Sequence, residues 1–144
     1  MSSPLVTVTV CARNASAWVD ACMEALTSQS YPSIEVVAIN DGSTDDTGDR
    51  MEAWKDEQGQ RGPPVRVHHQ DALGLSAGRH RALEDSNGEW VAITDIDVRP
   101  EPDWIENLMT SSTPVDDREQ VVAVTGRTVF ERAEDLVSWH RSVE

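Results

Sequence analysis

The sequence predicts an α/β domain, a largely parallel sheet flanked by helices. Short apolar, β-branched runs alternate with stretches of helical periodicity, the pattern of βα units wound around a parallel sheet. Two of these runs, VAIND at 37–41 and VAITD at 91–95, are near-repeats, each a buried strand that delivers an aspartate at its carboxyl end. The length, 144 residues, suits one domain able to bury a core of its own.

Leu5 to Cys11 reads as the first strand. Ser16 to Ser28 follows as a helix, with Val19, Cys22, Met23 and Leu26 spaced as one buried face, and Tyr31 and Pro32 stop it. Ile34 to Ile39 is a second strand, apolar apart from Glu35. Ser43 or Thr44 then caps a helix whose Thr47, Met51 and Trp54 share a face. The stretch GQRGPP at 59–64 resembles a linker, yet strand residues resume at Val65 to Val67, so it reads as a turn within the domain. Ser76 to Asp85 forms a third helix, ended by Asn87 and Gly88. Trp90 to Thr94 is the next strand, Pro102 to Thr110 a short helix, Val121 to Thr125 a further strand and Ala133 to Val143 a terminal helix.

Composition excludes some functions. With 26 acidic against 12 basic side chains the net charge is −14, which repels nucleic-acid backbones and anionic lipid surfaces alike. No apolar run approaches the ~20 residues of a membrane span. The start, MSSPLVTVTV, has neither a basic flank nor a cleavage-site pattern. The expectation is therefore a cytoplasmic protein with no transmembrane segment and no nucleic-acid partner, peripheral at most at the inner face of the membrane. Cys11 and Cys22 lie in apolar stretches and read as reduced core residues rather than a disulfide or a metal pair.

All strands of a parallel sheet open their carboxyl ends on one edge, and ligands of such folds bind there. Asp41, Asp95 and Asp97 are therefore expected to converge. In TDIDVRP the two aspartates leave the strand together, and their hard oxygens suit Mg²⁺ or Mn²⁺ shared with a diphosphate. Taken alone, the same residues also read as a turn before Pro100. The loop NDGSTDDT at 40–47 has a plain reading as a strand-to-helix turn and a functional one, in which Asp41 accepts hydrogen bonds from a nucleobase or ribose. His68 and His69 read as ordinary strand and loop residues.

As a set, CARN at 11–14, YPSIEVVAINDGSTDDT at 31–47, GLSAGRHRAL at 74–83 and GEWVAITDIDVRPEPDWIENL at 88–108 resemble the family 2 glycosyltransferases, whose fold is the Rossmann-like GT-A type. The order and spacings match over residues 1–127. The resemblance implies a nucleotide-diphosphate sugar donor, a divalent metal, and direct displacement at the anomeric carbon with inversion. It implies that the strand end from Ala12 to Asn14 lines the base pocket, that Asp41 contacts the base, and that Asp95 sits near the ribose and diphosphate. Asp97 would bind the metal, Mg²⁺ or Mn²⁺, and Arg79 would reach the nucleotide or pair with the DxD carboxylates. The chain departs from the family pattern with Asn40 in a usually acidic slot, His80 for the usual asparagine and Ala82 for the usual glycine.

An inverting transfer also needs a base to take the proton of the acceptor hydroxyl. Asp135, beside Glu134, is the candidate, although it follows Asp97 more closely than in the family and acidic residues are favoured near a helix start in any case. The donor half therefore reads as complete and the acceptor-binding half as absent. A truncated product, a partner chain that completes the acceptor site, or a silent module that binds nucleotide sugar without transferring it each fit. TDIDVRP also superficially resembles the nucleophile motif of haloacid dehalogenase-type phosphatases. Those enzymes need a lysine further along, and the single lysine, Lys55, precedes the motif.

Overall fold

The residues of Val6–Ala12 and Ile34–Asp41 are all buried, as two adjacent strands covered on both faces must be. In the computed structural model, which describes residues 3–58, 61–114 and 121–127, these are β1 and β2. β3 (Val65–Gln70) pairs with β2, and β4 (Trp90–Asp95) pairs with β1. The result is a four-stranded parallel sheet of order β3-β2-β1-β4. Helices α1 (Ser16–Thr27), α2 (Thr47–Gln58) and α3 (Leu75–Glu84) connect successive strands, and α4 (Trp104–Ser111) follows β4. The chain divides into two compact units, Met1–Asn107 and Leu108–Glu144.

The apolar periodicity of α1 does what it predicts: Val19, Cys22, Met23 and Leu26 have no exposure. Each fully buried side chain of that size contributes roughly 1.5–3 kcal/mol relative to leaving it in water. On α3, Ala82 joins Cys11, Val37 and Ile39 in a buried cluster. Gly78 lets that helix approach, since a Cβ there would lie 3.1 Å from Cys11 Sγ. Cys11 and Cys22 are buried free thiols, as expected. Burial pushes their pKa values up to about 11 and about 12, which keeps both protonated.

Glu35, the polar exception in β2, anchors a network. Thr7, its cross-strand partner on β1, donates to Oε1 at 2.7 Å. Arg66 of β3 donates to both carboxylate oxygens at 2.9 and 3.0 Å, and Asn87 donates its backbone N–H at 2.9 Å. Arg66 Nε and His68 Nε2 both meet Asp85 Oδ2, at 2.8 and 2.6 Å. Three strands and the α3–β4 loop are thereby tied together. Burial opposes the charge on Glu35, but Arg66, Thr7 and Asn87 outweigh it and lower its pKa to about 2.

Several expectations are corrected. Val121 to Thr125 is not a strand; 121–127 has no regular structure, and Val122 is 81% exposed. An apolar run becomes a strand only where a neighbour takes its backbone hydrogen bonds, and among the described residues none does. Ser43 and Thr44 do not cap α2. They are held by Asn14 of the preceding loop, and Asp45 instead accepts the N–H of Thr47 at 3.0 Å. Trp54 is half-buried, with Nε1 donating to Asp20 Oδ1 at 3.1 Å. The expected helix Ala133 to Val143, with Glu134 and Asp135, lies outside the described residues.

Candidate functional site

The strand order reverses at β1: the chain steps outward through β2 and β3, then returns to place β4 on the other side of β1. Such a reversal splays the connecting loops and leaves a crevice at the strand carboxyl ends. In register, Ala12 of β1 lies opposite Asn40 and Cys11 lies opposite Asp95. The two near-repeat strands therefore bring Asp41 and Asp95 to the same edge, on either side of β1.

A cavity of about 270 Å³ opens there, lined by Cys11, Ala12, Arg13, Asp41, Gly74 and Leu75. Asp41 is 4% exposed. Its Oδ1 accepts from Gln70 Nε2 at 2.8 Å and from the Leu73 N–H at 2.9 Å, and Oδ2 accepts the Gly74 N–H at 2.9 Å. The Gln70 amide, the two backbone donors and the nearby Arg13 charge hold its carboxyl below the usual aspartate range despite burial. A buried carboxylate thus stays ionised while ordering the β3–α3 loop. A second cleft, about 340 Å³ beside Tyr31, Ile34 and Pro64, has no acidic or basic side chain in its lining.

Asn14 does not line the cavity. It sits at φ +49°, a left-handed conformation that asparagine tolerates. Its Oδ1 accepts the Thr44 N–H at 2.7 Å, its own N–H goes to Ser43 Oγ at 3.0 Å, and it so joins the loops after β1 and β2. Asp45 completes that joint by accepting the Ser16 N–H at the start of α1 at 3.3 Å. Asn40, which departs from the usually acidic slot of the family pattern, donates to His69 Nδ1 at 3.0 Å, and His69 Nε2 meets Glu52 at 2.9 Å. His68 and His69 are thus both engaged by side chains of the protein itself.

Gly42 has φ +62°, and a Cβ there would come within 2.5 Å of the Ala72 backbone nitrogen. Gly42→Ala therefore combines a left-handed alanine with a backbone clash and is expected to cost about 2 kcal/mol or more. Urea unfolding of the variant measures this, and unchanged stability would show that the two loops move apart freely.

At the end of β4, Asp95 Oδ1 pairs with Arg79 Nη2 at 2.9 Å, both side chains being substantially exposed. The Val98 N–H bonds to the Asp95 carbonyl at 3.1 Å, so the DxD segment is a turn in addition to any other role. Asp97 is exposed and has no hydrogen bond or ion pair among the described residues. Among those residues no three acidic, histidine or cysteine side chains cluster as a self-sufficient metal site. What the turn does offer is hard carboxylate oxygen: all of Asp97 and the second oxygen of Asp95. Such a partial set fits Mg²⁺ or Mn²⁺ when phosphate oxygens and water complete the coordination.

Arg13 falls within the strand end from Ala12 to Asn14 expected in the base pocket, and Gly74 opens the GLSAGRHRAL segment, whereas nothing local in the sequence marks Gln70.

The family model for glycosyl transferase family 2 matches residues 7–142. The chain is 37% identical over 89 residues to the uncharacterized glycosyltransferase YibD of Escherichia coli K12, covering 62% of this chain and 25% of that protein. It is 29% identical over 135 residues to the glycosyltransferase GlyA of Streptococcus pneumoniae, covering 94% of this chain and 18% of that one. Among solved structures it superposes on the mannosyltransferase PcManGT of Pyrobaculum calidifontis, in complex with GDP-Man and Mn²⁺, with TM-score 0.69 and 27% identity. That match covers 74% of this chain and 32% of the other, so the chain spans about a third or less of each relative's length. No helix among the described residues is long and apolar enough to cross a membrane. The parallel sheet with its flanking helices is that of the GT-A glycosyltransferases, and the chain belongs to glycosyl transferase family 2.

Proposed function

We propose that this chain is the donor-binding part of an inverting glycosyltransferase that takes a nucleotide-diphosphate sugar with the help of a divalent metal. The observation that carries the reading is the cavity at the carboxyl ends of β1 and β2, where ionised Asp41 lies on the same sheet edge as Asp95 and the uncommitted Asp97. The neighbour bound to GDP-Man and Mn²⁺ supports both the donor class and the metal.

In this reading the base enters beside Asp41, between Ala12 and Gly74, with Arg13 at the rim. Asp97, with the free oxygen of Asp95, would hold Mg²⁺ or Mn²⁺. When bound, that cation offsets the charge developing on the nucleotide diphosphate as it leaves. Arg79 adds a fixed positive charge beside the carboxylates and keeps Asp95 oriented. The proton of the acceptor hydroxyl must go to a base, for which Asp135 is the candidate.

Calorimetric titration with UDP-, GDP- and dTDP-sugars, with and without Mn²⁺, tests this. A donor is expected to bind more tightly with Mn²⁺, and Asp97→Ala to abolish the metal's contribution while leaving weak metal-free binding. Metal enhancement unchanged in Asp97→Ala would remove that residue's role. Donor binding with neither transfer nor hydrolysis would favour a silent nucleotide-sugar-binding module of the same fold.

A further inference from the structure

We propose that Asn40, His69 and Glu52 form a proton-sensitive strut beside the donor cavity. His69 acts through Asn40 as a positioning residue, so that a nucleotide sugar binds more weakly once His69 takes up a proton. The inference rests on the donor-binding reading. Asn40 precedes Asp41 in β2, and its side chain has two partners. Oδ1 accepts the Ser43 N–H at 3.3 Å, so the NH₂ group faces His69 Nδ1 at 3.0 Å and donates to it. Nδ1 must therefore carry a lone pair. The ring proton is then on Nε2, which donates to Glu52 Oε1 at 2.9 Å. Gly48 of α2 closes over the pair: a Cβ there would lie 2.5 Å from Asn40 Nδ2 and 3.1 Å from His69 Cε1.

Since Nε2 already holds a proton, a second one can enter only at Nδ1. The imidazolium then sets an N–H against the Asn40 NH₂, donor against donor. Turning the amide restores that bond but sets NH₂ against the Ser43 N–H, so one of the two contacts is lost either way. Ser43 carries the loss to the site. Its Oγ accepts the Asn14 N–H at 3.0 Å, and Asn14 Oδ1 accepts the Thr44 N–H at 2.7 Å, which joins the loops after β1 and β2. Ala12 and Arg13, just before that joint, line the cavity with Asp41. The other charges around the ring do not replace the lost contact. From α2, Glu52 accepts the Nε2 proton in both states of the ring. Lys55, which also feels Asp56, pairs with Glu52 and holds its carboxyl below the usual glutamate range. From β2, the Asp41 carboxylate is committed to Gln70, Leu73 and Gly74, and on β3 His68 meets Asp85. An acid at position 40 would behave oppositely, since a carboxylate accepts both the Ser43 N–H and an imidazolium N–H.

The test combines NMR of the full chain between about pH 8 and about pH 5.5, the interval in which imidazole ordinarily titrates, with calorimetry at the two ends in the presence of Mn²⁺. UDP-glucose, GDP-mannose and dTDP-glucose are the probes, because their diphosphates carry no group that titrates there. The Ser43 and Thr44 amide signals are expected to shift together with the His69 ring signals. Affinity for a nucleotide sugar should fall about threefold to tenfold on acidification, the loss of one hydrogen bond. His69→Asn offers Asn40 an oxygen that takes up no proton, and its affinity should change less than about twofold. Asn40→Asp should hold or gain affinity in acid. Equal weakening in the unaltered chain and in His69→Asn would overturn the inference while leaving the donor-binding reading intact. So would Ser43 and Thr44 signals that stay still while His69 titrates. Failure of all three nucleotide sugars to bind at about pH 8 would remove both. The NMR titration of the unaltered chain is decisive even where neither variant folds.

Discussion

Asp41→Asn is expected to reduce nucleotide affinity by about a hundredfold or more and to destabilise the fold by about 2–4 kcal/mol. The substitution keeps size and shape but replaces one acceptor oxygen with an NH₂ group. Three donors converge on Asp41, from Gln70, Leu73 and Gly74. With asparagine, at least one of them must face another donor, and the loop from Gln70 to Gly74 loses its anchor. The charge that keeps the carboxylate an acceptor for the base is lost as well. Urea unfolding followed by tryptophan fluorescence reads the destabilisation, and calorimetry with UDP reads the loss of affinity. A stable variant with normal affinity would mean that Asp41 neither anchors the loop from Gln70 to Gly74 nor meets the nucleotide.

Glu35→Ala is expected to cost about 2–4 kcal/mol while leaving residual nucleotide affinity in the folded fraction unchanged. Removing the carboxylate leaves Thr7 Oγ1 and the Asn87 N–H without their acceptor and strips Arg66 of two of its bonds, although Asp85 still holds it. The network also makes a pH prediction. Glu35 has a folded pKa of about 2, below its ordinary 4.5. A carboxyl depressed in the folded state stabilises it fully above 4.5, and that stability disappears as pH falls from 4.5 through about 2. The shift corresponds to about 3 kcal/mol. Asp41 and Asp85 are depressed too, so both proteins lose stability in acid, but Glu35→Ala should show a shallower loss across this window. Parallel curves for the two proteins would show that Glu35 is not bound as tightly as its geometry implies.

The parts of this molecule legible from its sequence are those written in local pattern. β1, α1 and β2 could be read because fully buried strands are continuous apolar runs and a one-sided helix repeats every three to four residues. Asp41 and Asp95 could be placed on one edge because parallel strands share a direction, so two strands ending alike must deliver their last residues together. The partners of those aspartates were not legible. Gln70 reaches Asp41 from 29 positions away and Arg66 reaches Glu35 from 31, and no local rule signals either pairing. The capping of α2 was misplaced for the same reason. Ser43 and Thr44 have the chemistry of caps, but Asn14, from a different loop, engages them first. Val121 to Thr125 shows the converse, an apolar run with strand composition and no paired neighbour among the described residues.

The central claim is that the carboxyl edge around Asp41 holds the nucleotide. A crystal structure of the chain with UDP and Mn²⁺ tests it most directly. The account predicts the base against Asp41 between Ala12 and Gly74, with the diphosphate directed toward Asp97. A nucleotide bound elsewhere, such as the cleft beside Tyr31 and Pro64, with the Asp41 cavity empty, would contradict it.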